Sequence, residues 1–363
     1  MIWAVIMAGG RGDRFWPRSR ARVPKQLLPI AGTRTMIRQT LERLEGLVSP
    51  ERILVITQAI QKDEMLRQLP ELPAENVIAE PVGRDTAAAV GLAALLVSRF
   101  DADGKTLVLP ADHVIHDIRA FERTVHDAEK TLDGMDDALF TFGIRPSFPA
   151  TGYGYLRTGE KLDTPLESTF HRVAEFVEKP DATRAASYLE RGGYLWNSGM
   201  FFWRADTLLK EIRGHMPALD AGLSEIGRLM DAGTPVERAL EKIYPGLEKK
   251  SVDYGIMERA ENVVCAVAGF DWDDVGSWEA LGKHFRADDR GNVCVGNARL
   301  INCSNLLVYN LCEDENLLAT AIDLSDQILV QTEDAVLCCP KTSAQKVRHL
   351  VDELRAEKLE KYL

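Results

Sequence analysis

No apolar stretch in this chain is long enough to cross a bilayer. The longest, 86–97, is about 12 residues between Arg84-Asp85 and Arg99, where a spanning helix needs roughly 20. No basic segment precedes the first apolar run, MIWAVIM, which passes straight into glycines. It is therefore expected to be a first strand and not a signal peptide, and the chain is expected in the cytoplasm with no membrane partner. Positive charge is also in short supply. With 44 Lys and Arg against 55 Asp and Glu, the net charge is −11, which argues against nucleic-acid binding, where phosphates must be neutralised. Cysteine is absent from the first 264 residues, and the six present (Cys265, Cys294, Cys303, Cys312, Cys338, Cys339) form no C-x-x-C pair. In a chain without a secretion signal they are expected to be reduced and buried, with no disulfide or metal role. Low-complexity sequence and internal repeats are not evident.

Two phosphate-binding fingerprints are also incomplete. A dinucleotide G-x-G-x-x-G would use Gly10 and Gly12 but needs glycine where Phe15 stands. The Gly104-Lys105-Thr106 tail of a P-loop has Arg99 at the required earlier glycine, and it precedes a strand instead of following one.

What is there is a glycine-rich turn at the end of the first strand, inside a dense patch of positive charge. Between Arg11 and Lys25 lie six cations (Arg11, Arg14, Arg18, Arg20, Arg22, Lys25) and one anion, Asp13. A local excess of this kind in an acidic protein suits a small polyanion such as a nucleoside triphosphate. Backbone N–H groups at Gly9, Gly10 and Gly12 can approach phosphates closely, and Arg14 and Lys25 add charge where a phosphoryl group would be transferred.

The first 150 residues alternate strand patterns (Ile2–Met7, 53–57, 106–109, 138–142) with helical ones (35–47, 86–100, 121–132). Such alternation predicts βαβ units, a mainly parallel sheet covered on both faces, and ligands beyond the C-terminal strand ends. From about Gly143 to Phe270 the pattern mixes strands (170–177, 196–203, 263–270) with helices (183–191, 219–231, 252–260). After Asn292 it turns to short strands closed by an amphipathic helix near 343–359. The expected division is a catalytic domain over 1–290 and a small β domain over 291–363. His113 and His116 are three apart with no cysteine near, a poor zinc pattern. Asp271, Asp273 and Asp274 crowd one turn, which ordinarily is only solvated.

The string Ala8-Gly9-Gly10-Arg11-Gly12-Asp13-Arg14-Phe15-Trp16-Pro17, with Pro24-Lys25-Gln26 downstream, resembles the signature of the sugar-1-phosphate nucleotidylyltransferases. Its FWP wording is similar to the mannose-1-phosphate guanylyltransferases (GDP-mannose pyrophosphorylases). Further family-like strings follow in order: Glu80-Pro81-Val82-Gly83-Arg84-Asp85-Thr86, Leu109-Pro110-Ala111-Asp112-His113, Thr151-Gly152-Tyr153-Gly154-Tyr155, Phe176-Val177-Glu178-Lys179-Pro180, Trp196-Asn197-Ser198-Gly199, Ser251-Val252-Asp253-Tyr254 and Asp274-Val275-Gly276-Ser277-Trp278. The chain departs from the pattern at Arg18, where Leu is usual, at Asp85 in place of Asn, and at Asp273 in place of Ser.

The resemblance implies an α/β fold: a Rossmann-like nucleotidyltransferase domain with a small C-terminal β-helix-like domain. It implies transfer of GMP from GTP to mannose 1-phosphate with Mg²⁺ as cofactor, and it allows a homodimer. By the same resemblance Ala8, Gly9, Gly10, Arg11 and Gly12 bind the nucleotide together with Glu80, Arg84, Asp85 and Thr86. Arg14 and Lys25 are catalytic, Gly152, Glu178, Lys179 and Asn197 hold the sugar phosphate, and Asp112 and Asp274 ligate the metal. Another sugar or another nucleotide (UTP or dTTP) is the alternative, and a silent regulatory homologue is disfavoured because these lysines and carboxylates are present. Too few residues follow Asn292 for the isomerase module of the longer bifunctional relatives.

Overall fold

The structure, a computed structural model, describes residues 1–312, 314 and 317–363. Two compact units make up the chain: Met1–Gly9 with Thr40–Asp273, and Gly10–Gln39 with Asp274–Leu363. The change of texture near residue 290 follows the sequence, whereas these units follow packing, and packing puts 10–39 and 274–290 with the C-terminal strands.

The first unit is built on nine strands: β1 (Ile2–Met7), β2 (Ile53–Gln58), β3 (Val77–Glu80), β4 (Lys105–Pro110), β5 (Leu139–Ile144), β6 (Gly154–Lys161), β7 (Phe170–Val177), β8 (Tyr194–Arg204) and β9 (Val263–Val267). Their order is β3-β2-β1-β4-β8-β5-β9-β7-β6. The β3-β2-β1-β4 half is parallel, as the βαβ pattern predicts. Beyond it the sheet is mixed, which corrects the expectation of a mainly parallel sheet. β8 runs antiparallel to both β4 and β5, and β6 and β7 form a hairpin. The reason lies in the connections. β6 and β7 follow one another without a crossover helix, and a direct connection returns the chain antiparallel.

Alternate residues of β1 and β2 (Trp3, Val5, Leu54, Ile56) join one apolar cluster with α3 (Asp85–Phe100), α6 (Ala205–His215), α7 (Pro217–Asp231) and α8 (Val236–Ile243). The intervening Ala4, Ile6, Ile53 and Val55 are buried as well, so the sheet is covered on both faces. The remaining helices of this unit are α2 (Lys62–Gln68), α4 (Ile118–Leu132) and α5 (Ala182–Arg191), while α1 (Met36–Glu42) crosses the boundary between the units. Asp117 and Asp181 cap α4 and α5, each carboxylate accepting a backbone N–H of the first turn. The helix expected over 252–260 is instead a single π-helical turn, Asp253–Met257. The strands β3 and β6 and the helices α2, α6 and α8 are not among the elements expected from the sequence.

The second unit carries β10 (Val293–Val295), β11 (Ala298–Ile301), β12 (Leu307–Asn310), β13 (Ala319–Ile322), β14 (Gln327–Gln331) and β15 (Val336–Pro340), with α9 (Trp278–Gly282) and α10 (Val347–Ala356). β10, β12 and β14 pair in parallel, as do β11 and β13. A repeat of 21 residues, not evident in the sequence, underlies this coil. Asn302 donates to Asp323 (2.6 Å), Ser304 meets Ser325 (2.8 Å) and Asn305 donates to Asp326 (2.5 Å). Asn302, Asn305, Asp323 and Asp326 all have positive φ, a backbone conformation that Asn and Asp tolerate better than most residues. These polar ladders turn each corner. All six cysteines are free, but only Cys265 and Cys303 are buried. The expectation of burial fails at Cys294 and Cys338, which alternation along β10 and β15 turns outward. Among the described residues, no helix is long and apolar enough to cross a membrane.

Candidate active site

In the first unit, the parallel strands β1, β2 and β3 end side by side, and polar groups gather at their ends. Ala8 continues the ladder, its N–H donating to Ile56 (2.8 Å). The Gln58 amide donates to the Gly9 carbonyl. Glu80 ends β3 with only 5% exposure. One carboxylate oxygen accepts from the Tyr244 hydroxyl (2.5 Å). The other lies 2.9 Å from where a Cβ on Gly9 would stand. A side chain there would push this carboxylate oxygen from its place, so glycine leaves Glu80 where Tyr244 holds it. Burial pushes Glu80 up to about 7, opposed by the hydrogen bonds from Tyr244 and from the Arg84 backbone, and the nearby Asp85 charge adds to the rise.

The next predicted residues open α3. Asp85 is exposed, has positive φ, and accepts from the N–H of the next residue, Thr86 (2.8 Å). Thr86 turns its hydroxyl to the Val252 N–H (2.9 Å). Arg84 is half-buried, and its Nε has no hydrogen-bond partner among the described residues.

Asp112 follows β4 at its C-terminal end, where the sequence places it. Its turn is held from below by two side chains of the α1 region. Thr40 Oγ1 donates to the Ala111 carbonyl (3.3 Å) and Arg43 Nη2 to that of His113 (3.0 Å). Arg43 is 2% exposed, and burial lowers its guanidinium to about 10 against the pull of Asp271. The acidic turn is not merely solvated. Asp271 accepts from the N–H groups of His116 and Asp117 and from the His116 ring, and those hydrogen bonds hold it below the ordinary carboxylate range in spite of burial. Asp273 pairs with Val114 in an antiparallel bridge. His113 accepts from Trp272 Nε1 (3.1 Å).

A third group gathers where β6, β7 and β8 meet. Asn197, on β8, lies opposite Gly154 of β6 and Gly143 of β5. The Glu178 carboxylate lies against Gly154 and accepts from the Lys179 ammonium (2.5 Å). Lys179 has φ of 48°, an uncommon conformation for a residue with a side chain. Burial works against its charge, but Glu178, Asp253 and Tyr254 outweigh it and raise its pKa. Gly152 is exposed with open space around it. Asp253, which no sequence role covered, accepts from the Asn197 amide (2.8 Å).

The second unit holds the rest of the predicted residues. Gly12 has φ of 65°, and a Cβ there would stand 2.7 Å from the Lys25 backbone nitrogen, so only glycine fits the turn. Arg11 and Arg14 are exposed. Lys25 is buried at 4% exposure, over the Phe15 ring at 5.5 Å, and its ammonium donates to the Asp274 carbonyl (2.6 Å). Lys25 and Asp274 are thus brought together, as are Gly10 and Gln26, whose amide donates to the Gly10 carbonyl (2.9 Å). The loop is fastened to this unit at several points. Trp16 Nε1 donates to the Tyr362 carbonyl (2.8 Å), Trp278 Nε1 donates to the Trp16 carbonyl (3.0 Å), and Phe15 packs on Trp278 at 5.1 Å.

Sequence reasoning missed Tyr244, Arg43 and Asp253. Only Asp253 lay inside a family-like string, and nothing local marks the other two.

Comparison with known proteins bears on the family of the chain. Residues 3–290 match the nucleotidyl transferase family model, and 288–354 match the model of a MannoseP isomerase/GMP-like beta-helix domain. A mannose-1-phosphate guanylyltransferase of Klebsiella pneumoniae is 39% identical over 364 residues, covering 100% of this chain and 76% of the relative. One from Escherichia coli K12 is 38% identical, covering 98% and 74%. A crystal structure from Thermus thermophilus, described as a mannose-1-phosphate geranyltransferase, superposes with a TM-score of 0.83 at 35% identity, covering 98% of this chain and 99% of the other. The chain belongs to the nucleotidyl transferase family and carries the β-helix domain C-terminal to its transferase domain in sequence.

Proposed function

We propose that the chain transfers GMP from GTP to mannose 1-phosphate, releasing pyrophosphate. A phosphate oxygen of the sugar phosphate attacks the α-phosphorus in line. The bond from the α-phosphorus to the bridging oxygen breaks, and pyrophosphate leaves with that electron pair. No covalent enzyme intermediate is needed, so the protein's work is positioning and charge neutralisation. The observation that carries this reading is the 39% identity to a mannose-1-phosphate guanylyltransferase across the whole chain.

In this reading Glu80 accepts from the guanine edge, which presents N–H donors where adenine does not. Its burial and its place against Gly9 support it over the exposed Asp85, already engaged with Thr86. Ala8, Gly9, Gly10, Gly12, Arg84 and Thr86 frame the nucleotide, and Arg11 and Arg14 pair with the triphosphate. Lys25 stabilises charge at the α-phosphate. Gly152, Glu178 and Asn197 approach the sugar, and Lys179 holds its phosphate.

Mg²⁺ suits the residues assigned to it. Among the described residues no three His, Cys, Asp or Glu side chains form a metal cage, and Mg²⁺ needs none, since it takes one or two carboxylates with phosphate oxygens and waters. Asp112 and Asp274 are the proposed carboxylates, and the bound ion would draw charge from the phosphate oxygens. Pyrophosphate release, measured over GTP, ATP, UTP and dTTP with mannose 1-phosphate and glucose 1-phosphate, tests the proposal. Turnover confined to UTP or dTTP would replace it with another sugar-1-phosphate nucleotidylyltransferase activity.

A further inference from the structure

Asn197 is held by three partners whose donor and acceptor roles leave one orientation. The Gly199 N–H can only donate, and it reaches Oδ1 (3.2 Å). The Thr141 hydroxyl lies 2.8 Å from the same oxygen and 3.2 Å from the Met200 carbonyl, so its one hydrogen is shared between the two acceptors. The amide nitrogen donates one of its two hydrogens to Asp253 Oδ1 (2.8 Å). One N–H of Asn197 is left for anything else. Asp253 stands on the π-helical turn Asp253–Met257, an element often found at functional sites. That turn is anchored in the first unit by the Val252 N–H bond to Thr86 and the Gly255 N–H bond to Ser251 (2.9 Å each). Glu178 and Lys179 bear on the same carboxylate electrostatically.

We propose that Asp253 is a positioning residue that aims the remaining N–H of Asn197 at one hydroxyl of the hexose 1-phosphate and thereby sets which hexose is selected. This rests on the sugar-phosphate reading of the Gly152, Glu178, Lys179 and Asn197 group. A hydroxyl can accept from that N–H while donating to a neighbouring carboxylate. Both roles are met only when the hydroxyl points in one direction, so a sugar epimeric at that carbon leaves a polar group unpaired. Removing Asp253 frees the amide nitrogen to swing about its side-chain torsions and relaxes that demand.

The test uses the full chain and steady-state kinetics with each substrate varied in turn. Asp253→Ala is expected to raise KM for mannose 1-phosphate by roughly tenfold or more. It should shrink the preference for mannose over glucose 1-phosphate by a similar factor and leave KM for GTP within about twofold. Asp253→Asn keeps an oxygen that can accept from Asn197, so it should restore most of the affinity, and being isosteric it keeps the test available if the alanine variant does not fold. Because Asp253 acts through Asn197, adding Asp253→Ala to Asn197→Ala should change KM scarcely further. Wild-type sugar affinity and preference in folded Asp253→Ala overturn the inference, as does a full additional loss in the double variant. If the wild-type chain releases no pyrophosphate from GTP with any hexose 1-phosphate, the proposed function falls and takes this inference with it. If wild type turns over and the variants match it, the inference alone falls.

Discussion

Tyr244 and Glu80 are 164 positions apart, yet the Tyr244 hydroxyl donates to one carboxylate oxygen of Glu80 at 2.5 Å, with both residues buried. The bond leaves the other oxygen facing Gly9. It also favours the ionised form of a carboxyl that burial has pushed up to about 7.

From this pair comes a pH prediction with a definite sign. If Glu80 reads the guanine edge as proposed, only its ionised form accepts from two guanine donors, so GTP affinity should rise as pH rises through about 7. Tyr244→Phe removes a donor that lowers the Glu80 pKa, so the acid limb should move to higher pH. Asp85 and the Arg84 backbone, which also face Glu80, are unchanged by it. Glu80→Gln should abolish this limb and cut the preference for GTP over ATP by roughly tenfold or more. Binding isotherms for both nucleotides from pH 6 to pH 8.5 would decide it. An unmoved limb in Tyr244→Phe removes Tyr244 from the account.

Most of the parallel half of the sheet is legible because its elements announce themselves locally. β1, β2, β4 and α3 are apolar runs bounded by turn residues, and the positions of Gly9 and Asp112 at strand ends follow from that pattern, whereas the four-residue β3, and with it the place of Glu80, does not. The antiparallel half was less so, since the pairing of β8 with β4, β5 and β6 depends on contacts far apart in sequence. The same is true of the site. Lys25 and Asp274 came from motif strings, but what Lys25 does, donating to a backbone carbonyl from a buried position, leaves no mark on composition. Tyr244 is one aromatic in a Tyr-Pro-Gly turn. The 21-residue coil escaped notice because its repeat is carried by hydrogen-bonding capacity, Asn over Asp and Ser over Ser, more than by residue identity.

The two lysines should fail differently. In the proposed reaction Lys25 faces charge that develops during transfer, so Lys25→Met, which keeps the buried stem, should lower kcat by at least about 100-fold with modest change in KM. Lys179 is half-exposed, and in the proposed reaction it meets a phosphate already charged before transfer. Its replacement by Ala should raise KM for mannose 1-phosphate and affect kcat less. Steady-state kinetics with each substrate varied in turn will separate the two. Unchanged sugar-phosphate affinity in Lys179→Ala would contradict its role.

The polar ladder of the β-helix offers a stability test free of catalysis. Asn302 combines φ of 52° with a 2.6 Å bond to Asp323. Asn302→Gly removes the bond without strain, at about 1 kcal/mol. Asn302→Ala removes the bond and adds the left-handed penalty, for roughly 1–2 kcal/mol more. Urea denaturation should therefore rank wild type above glycine above alanine. Equal losses for the two would mean that the backbone relaxes and that the corner conformation carries no cost.

The last prediction concerns the two carboxylates proposed for Mg²⁺. Asp112 follows β4 in a turn held by Thr40 and Arg43, so Asp112→Asn should leave that turn folded. Asp274 lends its backbone carbonyl to Lys25 and its side chain lies 2.9 Å from where a Cβ on Gly276 would stand. An Asp274→Asn change keeps both the carbonyl and the side-chain shape. Each single variant should lose turnover by roughly two orders of magnitude in Mg²⁺, because a neutral amide holds the ion poorly beside the α-phosphate. If the carboxylates serve one ion, the double variant should be scarcely worse than the poorer single one, since groups acting as a unit do not add. Chelation of the metal should bring wild type down to the level of the double variant and change the variants little. Circular dichroism must first show each variant folded. Independent, multiplicative losses would argue for two separate roles, and near-wild-type turnover in either single variant would take that residue out of the metal site.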